Sequence, residues 1–234
     1  MSGKNTRRDL IFADRHMSAV LIENVENCEV DGIVVNLSPE IIEVEGKVNA
    51  PIFPWRSTIV RNKQVISARR IAVLKITEIE NLGGVMFRGW QWFGEQFAGF
   101  PRETPLYVSK IDSVGTVQED PFAFTREKPV AEPSRRQEFE IRLKCWWSPC
   151  ETDCFIHTEH PFLEVHTQIH GEGRMQKFRE NDASTIYEDV VMMPGFTHEP
   201  FCRVTGANEW TYPWHRYYTV REGIWLAIEL HPLG

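Results

Sequence analysis

Nine short segments rich in valine, isoleucine and aromatic residues recur along this chain, each bounded by glycine, proline, asparagine or aspartate, and they restrict it to a β architecture. They are EVDGIVVNL (29–37), EIIEVEGKV (40–48), RRIAVLKITEI (69–79), PLYVSKIDSVGTV (105–117), QEFEIRLKCWW (137–147), EVHTQIHGEG (164–173), IYEDVVMM (186–193), HRYYTV (215–220) and GIWLAIEL (223–230). Helical periodicity is scarce. The best helical candidate, RGWQWFGEQFAG (88–99), has aromatics that alternate as readily as they follow a helical period, and Gly94 interrupts it. The spacing of the segments predicts an all-β sandwich or barrel.

At 234 residues the chain can bury a core without disulfides or structural metal, so a metal found here would serve function rather than folding. Its 42% apolar and 25% charged residues exclude disorder. A formal charge of −7 argues against a phosphate-binding surface, and no nucleic-acid partner is expected. No segment reaches the ~20 apolar residues that span a bilayer, and MSGKNTRRDLIFADRH lacks the apolar core of a signal peptide. The expectation is a cytoplasmic protein with no membrane partner. The five cysteines are odd in number, and Cys145, Cys150 and Cys154 do not reproduce the two-residue knuckle of a zinc ribbon. They read as buried thiols.

Three prolines and a mixed run of charges mark QEDPFAFTREKPVAEPSRRQ (118–137) as a connection. The chain then divides into a β-rich N-terminal region (1–120), the connection (121–137) and a C-terminal region (138–234). Seven of the eight histidines follow the connection, and the chemistry is expected there. The aromatic run of Trp90, Trp92, Phe93, Phe97 and Phe100 reads as core or dimer interface.

Four histidines fall within CFIHTEHPFLEVHTQIHGEG (154–173). On a strand, residues two apart share a face. Glu164, His166, Gln168 and His170 then project to one side and Val165, Thr167 and Ile169 to the other. One face can ligate metal or handle protons, and the other can pack on a core. A half-solvated antiparallel strand, polar outward and apolar inward, explains the same alternation. Gly171 and Gly173 read as the turn that follows.

The flanking residues add spacing. His160 is followed by three residues, Glu164, six residues and Gly171, and a second stretch places Pro194 and Gly195 two residues before His198. This pattern resembles the two motifs of the cupin superfamily over roughly residues 138–231. His157 and His160 are separated by two residues where the motif has one, so a bulge is needed to turn both inward.

The resemblance implies a cupin-type double-stranded β-helix, a jelly-roll barrel, in the C-terminal half, with the N-terminal half as a β-rich extension or lid, or a degenerate second cupin barrel. It implies a metal held by His157, His160, Glu164 and His198. A mixed nitrogen and oxygen set suits a divalent ion, Fe(II) first, with Zn, Mn or Ni as alternatives. His166 is the candidate acid or base, or else a histidine that supports a ligand. Gln168, Arg174, Gln176, Trp214, His215 and Tyr217 are candidates for binding substrate, and of His215 and Arg216 at most one points inward. The implied function is a metal-dependent enzyme acting on a small polar organic molecule, most simply a non-haem Fe(II) oxygenase-type reaction. A metal-assisted isomerase, epimerase or lyase and a non-catalytic sugar or metabolite binder remain open. Family habit suggests a homodimer.

Overall fold

In a computed structural model, residues 3–97, 99–126, 136–158, 160–206 and 209–233 are described. Pro129 and Pro133 of the connection lie outside them. The strands are β1 (Thr6–Asp9), β2 (Met17–Asn36), β3 (Ile42–Val44), β4 (Ala50–Ile52), β5 (Ser57–Ile76), β6 (Gln91–Trp92), β7 (Tyr107–Val108), β8 (Asp112–Glu119), β9 (Gln137–Ser148), β10 (Thr152–Asp153), β11 (Leu163–Phe178), β12 (Ile186–Met192), β13 (Arg203–Gly206), β14 (Glu209–Thr211) and β15 (Trp214–Pro232). The fold is all-β. No helix among the described residues is long and apolar enough to cross a membrane.

The first sheet has the order β1-β2-β5-β3-β4 and is dominated by one long antiparallel hairpin, β2 with β5. That hairpin doubles back on itself. Residues 33–35 of β2 pair with 57–59 of β5 on one edge and with 72–74 on the other. The bend falls at Gly32, whose φ is +151° and whose missing Cβ would stand 2.7 Å from the Leu74 carbonyl oxygen. Only glycine combines that backbone angle with so close an approach.

The second sheet has the order β12-β11-β15-β9-β7-β6, with β8 also on β9 and β10 also on β15. Alternation along β9 buries Phe139, Ile141, Leu143 and Cys145 on one face. These pack with Leu163 and Val165 of β11, with Leu226 and Ile228 of β15, and with Met17, Leu21, Val35 and Leu74 of the first sheet in one apolar cluster. Each such aliphatic side chain contributes roughly 1.5–3 kcal/mol by leaving water. Polar ties reinforce the contact between sheets. Arg8 makes two bonds to the Asp112 carboxylate, at 2.7 and 2.9 Å, the Trp55 indole donates to Glu119, and Ser57 meets Thr197 at 2.7 Å. Strands from both sides of residue 120 therefore share one sheet and one core.

Three local expectations need correction. Among the described residues of 88–99 there is no α-helix: two 3-10 turns, Val85–Arg88 and Phe93–Glu95, flank the two-residue β6, because Gly89 takes a left-handed conformation and ends the first turn. Gly171 and Gly173 are not a turn. They lie inside β11, where register shifts between Gln168 and Gly173 bulge the strand and bend it. Segments 215–220 and 223–230 are one strand, β15, since Gly223 keeps its pairing with Ser148 of β9.

Replacing Gly32 by alanine is expected to lower unfolding free energy by about 1–3 kcal/mol, the range for forced overpacking. A urea titration that leaves the midpoint unchanged would show that the doubled-back hairpin does not need glycine there.

Candidate metal centre

The bend in β11 brings residues from both of its halves to one cavity of about 610 Å³. Glu164 and His166 reach it from before the bulges and Met175 from after, and β15 adds His215, Tyr217, Trp225 and Glu229. A chain segment at 154–162 adds His157 and His160, and Phe93 and Phe97 close a further wall. Both faces of β11 are thus covered: Val165 and Thr167 lie in the core, and Glu164, only 4% exposed, faces the cavity. A solvated surface strand is excluded.

His157, His160 and His215 each present a ring nitrogen within 4.8 Å of the other two. His157 gains its aim from an irregular backbone. Phe155 has φ +81°, and beyond it His157 forms an isolated antiparallel bridge with His215, with both backbone bonds at 3.0 Å. The His157 Nδ1 donates to the Phe155 carbonyl at 3.0 Å, and His215 Nδ1 donates to the Pro213 carbonyl at 2.8 Å. Carbonyls only accept, so each of these rings carries its proton on Nδ1 and leaves Nε2 bare. His160 presents Nδ1 to Glu164 Oε1 at 3.2 Å, which favours the same tautomer. Such anchoring of the far nitrogen by a carbonyl or carboxylate is how proteins orient metal-binding imidazoles.

One contact then demands positive charge. His160 Nε2 and His215 Nε2 stand 3.0 Å apart. With both protons on Nδ1, two lone pairs face each other. A proton could bridge them, but burial pushes His160 down to about 4 and His215 well below its ordinary range, so both rings are neutral near pH 7. A divalent cation supplies the missing charge without protonation, and the three imidazoles suit one. Glu164 lies beside this cluster rather than in it, against His160 and with Oε2 accepting from His166 Nε2 at 3.2 Å. Burial alone would raise its pKa, but His160 and His166 outweigh this and hold the carboxyl well below the carboxylate range. Its role in this arrangement is to orient two histidines with a fixed negative charge.

The remaining candidates separate cleanly. His198 is not brought to the cluster: its Nδ1 donates to the Glu199 carbonyl at 2.9 Å and its Nε2 accepts the His166 backbone N–H at 2.9 Å, so neither ring nitrogen is left for a metal. His166 lines the cavity, and its Nδ1 is buried without a partner among the described residues. Gln168 does not reach the cavity; its oxygen accepts from Tyr217 and its nitrogen donates to the His170 carbonyl. Arg174 pairs with Asp189 on the surface, and Gln176 accepts from Arg216, so neither meets a ligand in the cavity. Of His215 and Arg216, the histidine turns inward and the arginine outward to Asp153. Trp214 and Tyr217 line the cavity as expected, and Tyr217 stacks on Trp225 at 3.9 Å. Gly173 makes room for it: a Cβ there would fall 1.8 Å from the Tyr217 hydroxyl.

Sequence reasoning missed Lys144, Trp146 and Glu229 as lining residues, and it took His215 for a substrate contact rather than a member of the cluster. Alternation in QEFEIRLKCWW does set Lys144 and Trp146 on the face opposite Leu143 and Cys145. Nothing in that segment says which strand lies beside it. The cysteines are all free, four of them buried, and Cys154 is pushed up to about 12 by burial, so a thiolate ligand has no support.

Fold and cluster together define a class: an antiparallel β protein with a buried histidine site able to hold a divalent metal. The chain is similar to several solved structures, one of them a cupin by name. A cupin 2 conserved barrel domain protein from Leptotrichia buccalis is 11% identical, over 98% of this chain and 91% of its own, with a TM-score of 0.28. Oxalate decarboxylase from Bacillus subtilis is 9% identical, over 99% and 78%, with a TM-score of 0.31. An oxalate oxidase in complex with the substrate analogue glycolate is 12% identical over 40% of this chain, with a TM-score of 0.28, and the match spans 43% of the oxidase. No family model matches the chain, and no curated protein matches it. Values this low carry over no residue and no activity.

His160→Ala and His215→Ala should each weaken binding of Zn(II) more than a hundredfold, Glu164→Gln about 10–100-fold, and His198→Asn less than threefold, by competition with a chromophoric chelator. A large loss in His198→Asn would restore that residue as a ligand. The buried histidines also set an acid limit. His198 is pushed down to about 3 by burial first and by nearby His166 second, against an unfolded value of ~6.5. Between those values the unfolded chain binds protons that the folded chain refuses. Stability of the metal-free protein is therefore full above about pH 6.5 and falls as pH drops toward 3. Urea midpoints that stay level from pH 7 to pH 5 would contradict it.

Proposed function

We propose that this chain is a metal-dependent enzyme acting on a small polar organic molecule, with His157, His160 and His215 as the metal ligands. The observation that supports it most is the 3.0 Å approach of two bare imidazole nitrogens beside a third histidine, at the wall of a cavity large enough for a substrate. A divalent ion bound there would polarise a carbonyl or hydroxyl, lower the pKa of a water, or bring substrate and oxygen together. Glu164 keeps His160 and His166 oriented and stays ionised. Aromatic side chains line much of the cavity around the reacting groups.

The leading reaction type is a non-haem Fe(II) oxygenase-type conversion, since three neutral imidazoles leave coordination positions for substrate and oxygen. A metal-assisted isomerase, epimerase or lyase is favoured by one specific feature. His166 lines the cavity and donates through Nε2 to Glu164, which holds its ring in place as a candidate acid–base group for a bound molecule. A non-catalytic binder would not require the histidine cluster.

Protein purified without chelators should carry close to one equivalent of divalent metal by elemental analysis. Iron, with oxygen uptake stimulated by members of a panel of small organic acids, sugars and diols, supports the oxygenase. Exchange of substrate hydrogen with deuterated solvent, without oxygen uptake and lost in His166→Gln, supports the isomerase or lyase. Binding of a panel member that survives in His160→Ala/His215→Ala, with no turnover in either protein, would overturn the enzyme reading.

A further inference from the structure

We infer that the cavity takes a small organic monocarboxylate with a flat apolar body, its carboxylate held by Lys144. The assignment deepens the metal-enzyme reading and rests on it for the charge balance below. Lys144 is the only lysine or arginine among the described residues that line the cavity. Its side chain is 13% exposed, and Nζ lies 2.8 Å from Glu229 Oε1 and 4.9 Å from the centre of the Trp146 ring. An ammonium carries three N–H donors. Glu229 is the one carboxylate given to it among the described residues, which leaves donors for a ligand.

Trp146 follows Lys144 by two residues, on the same face of β9, and its ring lines the cavity beside the ammonium. A carboxylate offers two oxygens with several lone pairs to the remaining N–H donors of Lys144.

The pairing sets this wall at a definite distance from the histidines. Lys144 lies opposite Ala227 of β15, and Ala227 lies opposite His166 of β11. Two strand spacings separate Lys144 from His166, roughly 10 Å between backbones. A molecule of about benzoate size spans from one to the other. The walls it would meet are flat and apolar, among them Phe93, Trp146, Trp214 and Trp225.

Charge gives the same answer independently of shape. Glu164 and Glu229 contribute two negative charges to the cavity and Lys144 one positive, and imidazoles that ligate a metal are neutral. A divalent ion at the cluster would turn this deficit into a single excess positive charge. One bound monoanion neutralises it, and uncompensated charge in a buried site is unfavourable.

The test uses benzoate and its neutral isostere benzamide as probes, titrated calorimetrically into wild-type protein with and without bound Zn(II). Benzoate should bind at least tenfold more tightly than benzamide to the zinc form. The Lys144→Met/Glu229→Gln variant removes the ion pair without stranding a carboxylate, and it should lose at least tenfold for benzoate with benzamide unchanged. If that variant does not fold, by circular dichroism and melting temperature, Lys144→Gln is read by the same ratio. Equal affinity for the two probes, or benzoate binding that survives loss of Lys144, would overturn the inference. Zinc stoichiometry is measured separately. Protein that takes up no zinc yet discriminates benzoate through Lys144 sinks the metal reading and keeps this one, whereas full zinc loading without discrimination does the reverse.

Discussion

Hydrogen bonding of β15 along both edges, to β11 on one side and to β9 on the other, sets the position of nearly every group in the cavity. A buried backbone must pair its N–H and C=O groups, so a central strand covered on both faces has little freedom of register. That register puts Glu229 directly opposite Glu164. Two carboxylates across a strand pair repel each other. The pairing persists because each has its own partners, His160 and His166 for Glu164, and Lys144 and His231 for Glu229. A slip of β15 by one residue would turn Glu229 into the apolar core.

The same constraint explains why so many ionisable groups sit in one cavity without disrupting the fold. Burial keeps the imidazoles neutral and raises the cost of any uncompensated charge. Three rings spend their Nδ1 protons on fixed oxygens and aim their other nitrogens at each other. Preorganisation of this kind removes the reorganisation that a flexible site would need when it binds its ligand. The strained feature is local: Phe155 at φ +81° lets a segment outside the strands deliver His157.

Much of this was legible in the chain itself. The face carrying Glu164 and His166 followed from period-two alternation, and the segment between Cys154 and Gly173 does hold two of the three clustered histidines. Two of the readings failed for a physical reason. His198 resembled a ligand by its spacing after Pro194 and Gly195, yet two backbone groups occupy its nitrogens. Gln168 was assigned by face parity, and its amide is instead taken up by Tyr217 and the His170 carbonyl; Arg174 and Gln176 were read as lying beyond a turn, but the strand continues through bulges that present Met175 to the cavity instead. The polar halves of β2 and β5, residues such as Glu23, Asn27, Arg61 and Lys63, carry too little apolar alternation to be read as strand, although tertiary pairing makes both strands twenty residues long.

The sequence by itself determined the class of architecture, because β-branched and aromatic residues at alternating positions between turn formers have no other way to bury one face. It also determined that histidines and a carboxylate would share a strand face, since side-chain direction on a strand depends only on parity. Only the tertiary structure decided which of them meet. His215 lies 55 residues from His160, and their contact exists because β15 carries its first residues back over the segment before β11. Lys144 and Glu229 reach the same cavity through the pairing of β9 with β15. Such cross-strand neighbours are set by register between distant segments, and register is a property of the packed sheet rather than of any one strand.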